Sequence, residues 1–223
     1  MNDERKSNDT DLRALILDTA RHVLTSEGYH NLSMRRIAGR IGYSATSIYL
    51  HFENRDQLVH ALIDQGVNML HDALSGVADR PESASGENAT IVRLQRLCRT
   101  YIRFGLENPE YYEIMYILHP EYMARYPADK YRKARRNLML LADTLKEGME
   151  SGLFEPSDPL RAATVVWAQL HGIVSLLNSR RVDLRVDKEA LIEEACQRII
   201  RGFFAAGERP ESPAVPHDEG VEQ

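Results

Sequence analysis

Residues 31–55 read NLSMRRIAGRIGYSATSIYLHFENR, and the fold is read outward from them. Leu32, Ile37, Ala38 and Ile41 recur at helical spacing, so one face of a first short helix is apolar. Ser33 precedes that run, where its hydroxyl can accept a free amide of the first turn. Gly42 follows Ile41 and suits the left-handed residue that ends a helix. Ser44 repeats the capping role for a second helix over about 45–51, with Ile48 and Phe52 turned back to the same small core. Two short helices joined by a tight glycine turn make a helix-turn-helix.

The second helix leaves Thr46, Ser47, Tyr49 and His51 outward: two short hydroxyls, a phenol and an imidazole. All can hydrogen-bond to base edges or phosphates without a long flexible stem. Around them Arg35, Arg36, Arg40 and Arg55 outnumber the single acid of the stretch, Glu53. That local excess suits phosphate, although the chain as a whole carries a formal charge of -5. Ser33, Arg35, Arg36, Ser44, Thr46, Ser47, Tyr49, His51 and Arg55 form the candidate DNA-contacting set. For His51, a structural hydrogen bond is an equal alternative.

The stretch resembles the DNA-binding motif of the TetR family of bacterial regulators. The matching residues are Ile37-Ala38, Gly42, Ser44, Ile48-Tyr49, His51-Phe52 and Asn54-Arg55-Asp56 with Leu58. The resemblance implies that Tyr49 contacts one phosphate and that Arg55, opening the fourth helix, contacts another. Thr46 stands where many members have glycine, alanine or proline, and Arg55 replaces the commoner lysine. The first departure bears on which bases are read; the second keeps the charge.

The rest of the chain reads as helix. Aromatic content is 7%, β-branched alternation is sparse, and runs of Ala, Leu, Arg and Glu dominate. The expected fold is all-α: a three-helix helix-turn-helix domain plus a helical ligand-binding and dimerisation domain, about nine helices in all. Residues 1–9 read as an arm and 10–55 as the DNA-binding domain. Residues 56–207 read as the second domain, and 208–223, rich in proline and acids, as a disordered tail. The first helix starts at Thr10 and stops at Gly28, with Leu12, Ile16, Ala20, Val23 and Leu24 as its stripe and Tyr29 packed back on its last turn. Asn54 caps a fourth helix that runs from the DNA into the second domain, the natural mechanical link between them. Pro109 opens the sixth helix, which carries the side chains from Tyr111 to Leu118, and Pro120 and Pro127 bracket a loop. The ninth helix runs over about 188–206.

Residues 162–179 carry no formal charge and are long enough to suggest a membrane span. Thr164, Gln169, His171, Gly172, Ser175 and Asn178 argue instead for a helix buried on nearly all sides, against its own domain and a partner subunit. Trp167 with His171-Gly172 resembles the Trp-His-Gly pattern of one TetR subgroup. His171 reads first as a satisfied core histidine beside a glycine that permits close helix packing. The resemblance further implies that some of Tyr101, Phe104, Tyr111, Tyr112, Met115, Met139, Trp167 and His171 line a ligand cavity, although aromatics and methionines at helical spacing are usually core.

Several chemistries find no support. There is no G-x-S-x-G, no phosphate-cradling loop and no dinucleotide fingerprint. The histidines are scattered, and Cys98 and Cys196 fit neither metal nor disulfide spacing, so no metal, cofactor or catalytic residue is expected. The charged start is not a signal peptide. Together these readings suggest a cytoplasmic homodimer, paired through its eighth and ninth helices. It would bind palindromic double-stranded DNA as a repressor and leave it when a small apolar or amphipathic effector binds, with no membrane partner. An activator or partner-controlled regulator of the same fold, a helical enzyme and a non-DNA-binding interaction protein are the competing readings.

Overall fold

The computed structural model describes residues 2–78, 87–118 and 128–204; within helices, only the backbone is described for residues 2–10, 87–88 and 128–131. Nine α-helices and no strands occur among these residues. They are α1 (Asn2–Glu27), α2 (Met34–Ile41), α3 (Ala45–Tyr49), α4 (Arg55–Ala78), α5 (Glu87–Glu107), α6 (Pro109–Tyr116), α7 (Ala128–Glu150), α8 (Pro159–Asn178) and α9 (Lys188–Arg201). The loop expected around Pro120 and the tail from residue 208 lie outside the described residues.

Local chemistry sets the helix ends. The Arg36 amide donates to Ser33 Oγ at 3.2 Å, the Ser47 amide to Ser44 Oγ at 3.1 Å, and the Gln57 amide to Asn54 Oδ1 at 2.8 Å. Each such cap is worth about 1 kcal/mol. Gly42 closes α2 at φ 74, the left-handed conformation that only glycine adopts freely. Asp158 and Asp187 cap α8 and α9 in the same way, accepting from the amides of Arg161 and Ala190.

Four boundaries differ from expectation, one of them the end of α6, which stops at Tyr116 and leaves Leu118 beyond it. Helix α1 begins at Asn2, not Thr10, because no glycine or proline interrupts the charged residues 2–11. Helix α3 ends at Tyr49, with Leu50 as its cap, and α9 ends at Arg201 where Gly202 follows. Tyr29 packs beside the first core, which includes Val23 and Leu24 of α1, and it also engages α4. Its hydroxyl donates to Asp56 and its ring lies under the Arg55 guanidinium, 4.0 Å from the centroid.

The buried side chains form two clusters. The first joins Ile16, Ala20, Val23 and Leu24 of α1 with Ile37, Ile48 and Phe52, and with Leu58 and Leu62 of α4. It thus reaches past residue 55, and it takes in Ile114 of α6 as well. The second joins Leu70 and Leu74 of α4 with α5, α7, α8 and α9. Helix α4 therefore belongs to both, as its apolar stripe of four turns or more requires.

Helix α8 is, among the described residues, long and apolar enough to cross a membrane. Yet its burial is one-sided: Ala162, Ala163, Val166, Leu170 and Val174 face the core, while Val165 and Leu176 are each 50% exposed. Within a single chain α8 is thus covered on one side, and the rest of the expected burial would have to come from a partner subunit. A Cβ on Gly172 would meet nothing within 4 Å, so this glycine serves no close packing inside the chain. Cys98 and Cys196 are both free and buried where α5 packs on α9. They lie near enough that Cys196 adds to the rise that burial causes in the Cys98 pKa.

Phe154 sits under the second cluster at 2% exposure, against Phe203 and Phe204. Phe154→Ala should cost about 3–5 kcal/mol of stability, read as a lowered midpoint in urea unfolding at fixed protein concentration.

Candidate nucleic-acid interface and ligand cavity

The outer face of the helix-turn-helix carries Thr46 and Tyr49 exposed, with Ser47 and His51 half-buried. Tyr49 is 53% exposed, so its hydroxyl reaches solvent. Ser44 and Ser47 share a hydroxyl contact of 2.9 Å in addition to the cap. Two side chains that the motif did not single out also stand outward: Tyr43 in the turn and Leu50, the latter 82% exposed. For Leu50 the signal available was its place between inward Ile48 and Phe52; Tyr43 carried none.

The arginines divide. Arg36 and Arg40 both donate to the carboxylate of Glu27, the last residue of α1. The local charge count from residues 31–55 missed this acid, because only the packing of α1 on α2 brings it across. Arg35 is exposed and has no ion-pair partner among the described residues. Arg55 is fixed by stacking on Tyr29, whose pKa burial, then the Asp56 hydrogen bond, push up to about 12. Arg13 of α1 lies over the Phe52 ring at 5.2 Å, a further cation beside the motif.

The second cluster encloses a cavity of about 570 Å³ bounded by α4, α5, α6, α7 and α8. Of the residues expected to line it, Tyr101, Met115 and Trp167 do so. Phe104, Tyr111, Tyr112, Met139 and His171 do not; all pack in or beside the cores instead. His171 stacks on Tyr112 with centroids 5.4 Å apart, and its Nδ1 meets the Tyr112 hydroxyl. Burial lowers its pKa, which keeps the ring neutral near pH 7. The lining missed by sequence includes Leu70, Leu74, Tyr116, Asn137, Leu138 and Leu141. Helical spacing marks these positions as inward but cannot distinguish a filled interior from a hollow one.

Helix α6 touches both regions. Ile114, at 1% exposure, is part of the first cluster and also lines the cavity, as do Met115, Tyr116 and Leu118. A Cβ on Gly66 would stand 2.6 Å from Met115 Sδ, so any side chain there would have to displace the Met115 thioether that α6 lays on α4. At the other end of α6, Glu110 accepts from Arg21 of α1, and the same guanidinium lies 5.4 Å from the Tyr111 ring. The expected link through α4 is therefore joined by a second one.

Residues 16–62 match the family model of the tetR family of bacterial regulatory proteins. Residues 94–199 match the tetracyclin repressor-like C-terminal domain. The chain belongs to the TetR family. That family is one of DNA-binding transcription regulators, with the motif at the N-terminal end. An uncharacterized HTH-type regulator of Bacillus subtilis, YobS, is 26% identical over 99 residues, 44% of this chain and 48% of that protein. A regulator encoded in the dhlA 5' region of Xanthobacter autotrophicus is 30% identical over 95 residues, 43% of this chain and 45% of its own. The chain spans about half the length of the curated relatives it matches. A protein of unknown function from Rhodococcus sp. RHA1 superposes with a TM-score of 0.74 at 25% identity, covering 87% of this chain and 96% of that one. The TetR regulator PfmR from Thermus thermophilus shares the fold at TM-score 0.67 and 19% identity, over 83% and 97% of the two chains.

Glu27 neutralises two arginines beside the motif. Glu27→Gln should therefore raise affinity for DNA of any sequence, by about two- to fivefold at low salt, and steepen its salt dependence in a fluorescence-anisotropy titration.

Proposed function

We propose that the protein is a homodimeric transcriptional repressor, released from a palindromic operator by a small apolar or amphipathic ligand. The observation that carries this reading is α6, whose side chains form part of the cavity wall and of the DNA-binding core at once. A ligand that reshapes the wall at Ile114, Met115, Tyr116 and Leu118 moves α6 against Gly66 of α4, and α4 carries Arg55 at its first turn. The ligand need favour the non-binding conformer by only about 1–3 kcal/mol to change DNA affinity several- to a hundredfold.

On this reading Tyr49 and Arg55 hold phosphates, Arg35 adds a free charge, and Thr46, Ser47 and His51 face the bases. Arg36 and Arg40 contribute less than their number implies, since Glu27 already occupies them. Ser33 and Ser44 act chiefly as caps, setting where the helices begin. The DNA-binding unit runs on through the first turns of α4, because Leu58 and Leu62 complete its core. Such a regulator works in the cytoplasm, on the chromosome.

A single recognition helix reads one half-site, and two half-sites stand roughly 34–36 Å apart on B-DNA, so two copies are needed. The open face of α8 suits the pairing. Val165, Gln169, Gly172 and Leu176 fall on one stripe, apolar at its ends and without a side chain at Gly172, where a second helix can come close. Leu184 and Val186, exposed before α9, extend the apolar surface. α8 and α9 with their mates would then form a four-helix bundle.

Selection of bound duplexes from a random pool, at near-physiological salt, is the direct experiment, and a palindrome is the expected product. Tyr49→Phe should weaken binding to that site and to unrelated DNA alike, by about three- to tenfold, whereas Thr46→Ala should alter base preference at defined positions. An unenriched pool from folded, dimeric protein overturns the reading. Leu176→Arg should shift the protein from dimer to monomer in sedimentation and abolish tight binding to the two-half-site operator. A dimer that survives that change refutes the α8 interface.

A further inference from the structure

We propose that the cavity takes an amphiphile with an anionic head, its chain inside the apolar interior and its head against Arg135 at the mouth. The inference rests on the ligand-responsive reading above and names the chemical class of the ligand.

Apart from the Tyr116 hydroxyl, the interior has little to offer a polar ligand, because Asn137, Trp167 and Tyr101 already pair with protein groups. Asn137 uses both ends of its amide: Oδ1 meets the His71 ring at 2.9 Å, and Nδ2 donates to the Val67 carbonyl at 3.2 Å. Trp167 Nε1 donates to the Tyr101 hydroxyl at 2.9 Å. Most of the remaining wall is Leu, Ile, Val and Met. Such a surface takes a chain or ring system and leaves orientation to a few polar groups at its edge.

Arg135 is the charged side chain in that lining. It is exposed, which puts its guanidinium at the opening, not in the interior. Along α7, Ala134, Leu138 and Leu141 share the face turned to the cavity, and Arg135 stands at the edge of that face. Arg132 lies one turn earlier on the same side, and Lys133 and Arg136 continue around the helix. All four cations are exposed, and none has an ion-pair partner among the described residues. An arginine at an apolar lip can lay its stem along the lip and keep its planar head free for a carboxylate or phosphate. A cationic amphiphile would meet like charge there. A neutral one would leave the guanidinium in water at no cost.

Size agrees with a chain of moderate length. A methylene is close in size to a water molecule, whose share of liquid volume is roughly 30 Å³. A dodecyl chain then fits within about 570 Å³ with room left over.

Trp167 is the one tryptophan of the chain and lines the cavity, so its fluorescence reports occupancy directly. The full-length protein is titrated with dodecanoate, dodecyl phosphate, dodecanol and dodecyltrimethylammonium, each below its micelle concentration. At least one of the two anions should bind about tenfold tighter than the alcohol, with the ammonium compound weakest. Whichever anion is tighter names the head group. Arg135→Ala should erase the advantage of the anion while leaving the affinity for dodecanol unchanged, and Arg135→Lys should keep most of it. Equal binding of anion, alcohol and cation overturns the proposal but leaves the ligand-responsive reading standing. So does an anion preference that survives Arg135→Ala. If none of the four amphiphiles perturbs Trp167, the proposal and the amphipathic-ligand reading fall together.

Discussion

The contact between α4 and α6 at Gly66 is the constraint on which the rest of the molecule turns. Met115 packs its side chain over the bare Gly66 backbone, so a shift of either helix must be accommodated by that contact. One of them opens at Arg55 beside the helix-turn-helix; the other forms a wall of the cavity. Packed interiors transmit displacement because they have no free volume in which to absorb it. The hollow lies next to this contact, among packed helices and not under a surface loop. Arg21, bound to Glu110 and lying over Tyr111, holds the far end of α6 to α1. Helix α6 is thus in contact with two helices of the DNA-binding end.

The electrostatics of the motif follow the same pattern of long-range pairing. Four arginines in residues 31–55 suggest a broad basic patch, but Glu27 takes up two of them and Tyr29 orients a third. Besides Arg55 and Arg13, which keep their charge over aromatic rings, what remains free is narrow: Arg35, with the hydroxyls of Thr46 and Tyr49. A narrow free patch favours sequence reading over indiscriminate phosphate binding, since each phosphate contact adds affinity for every sequence equally. Exposed ion pairs of this kind contribute little to stability, about 0–1 kcal/mol, so their effect is mainly on charge.

Much was legible in residues 31–55 alone. The caps at Ser33, Ser44 and Asn54, the glycine turn at Gly42 and the inward set Ile37, Ile48 and Phe52 are local properties. They depend on amides and dihedral angles within four residues, and the structure has them as read. Helix count and type were legible for the same reason. Boundaries were less so: α1 continues to Asn2 because charged residues without glycine or proline neither demand nor forbid a helix. The cavity lining was read only in part. Periodicity marks Phe104 and Leu141 equally as inward, yet Phe104 packs in the core and Leu141 borders the hollow.

By itself, then, the sequence determined the helical class, the helix-turn-helix with its caps, and the family, since all of these are written in residues close together along the chain. Only the tertiary structure decided that Glu27 reaches Arg36 and Arg40, that His171 is tied to Tyr112, and that Gly66, Gly105 and Gly148, not Gly172, are glycines of close approach within the chain. It also decided that α6 belongs to two cores and that Arg135 stands at the rim of the cavity. The reason is physical. A partner distant in sequence is chosen by how helices cross, and crossing angles follow from the joint fit of many side chains, with no single spacing in the chain to announce them.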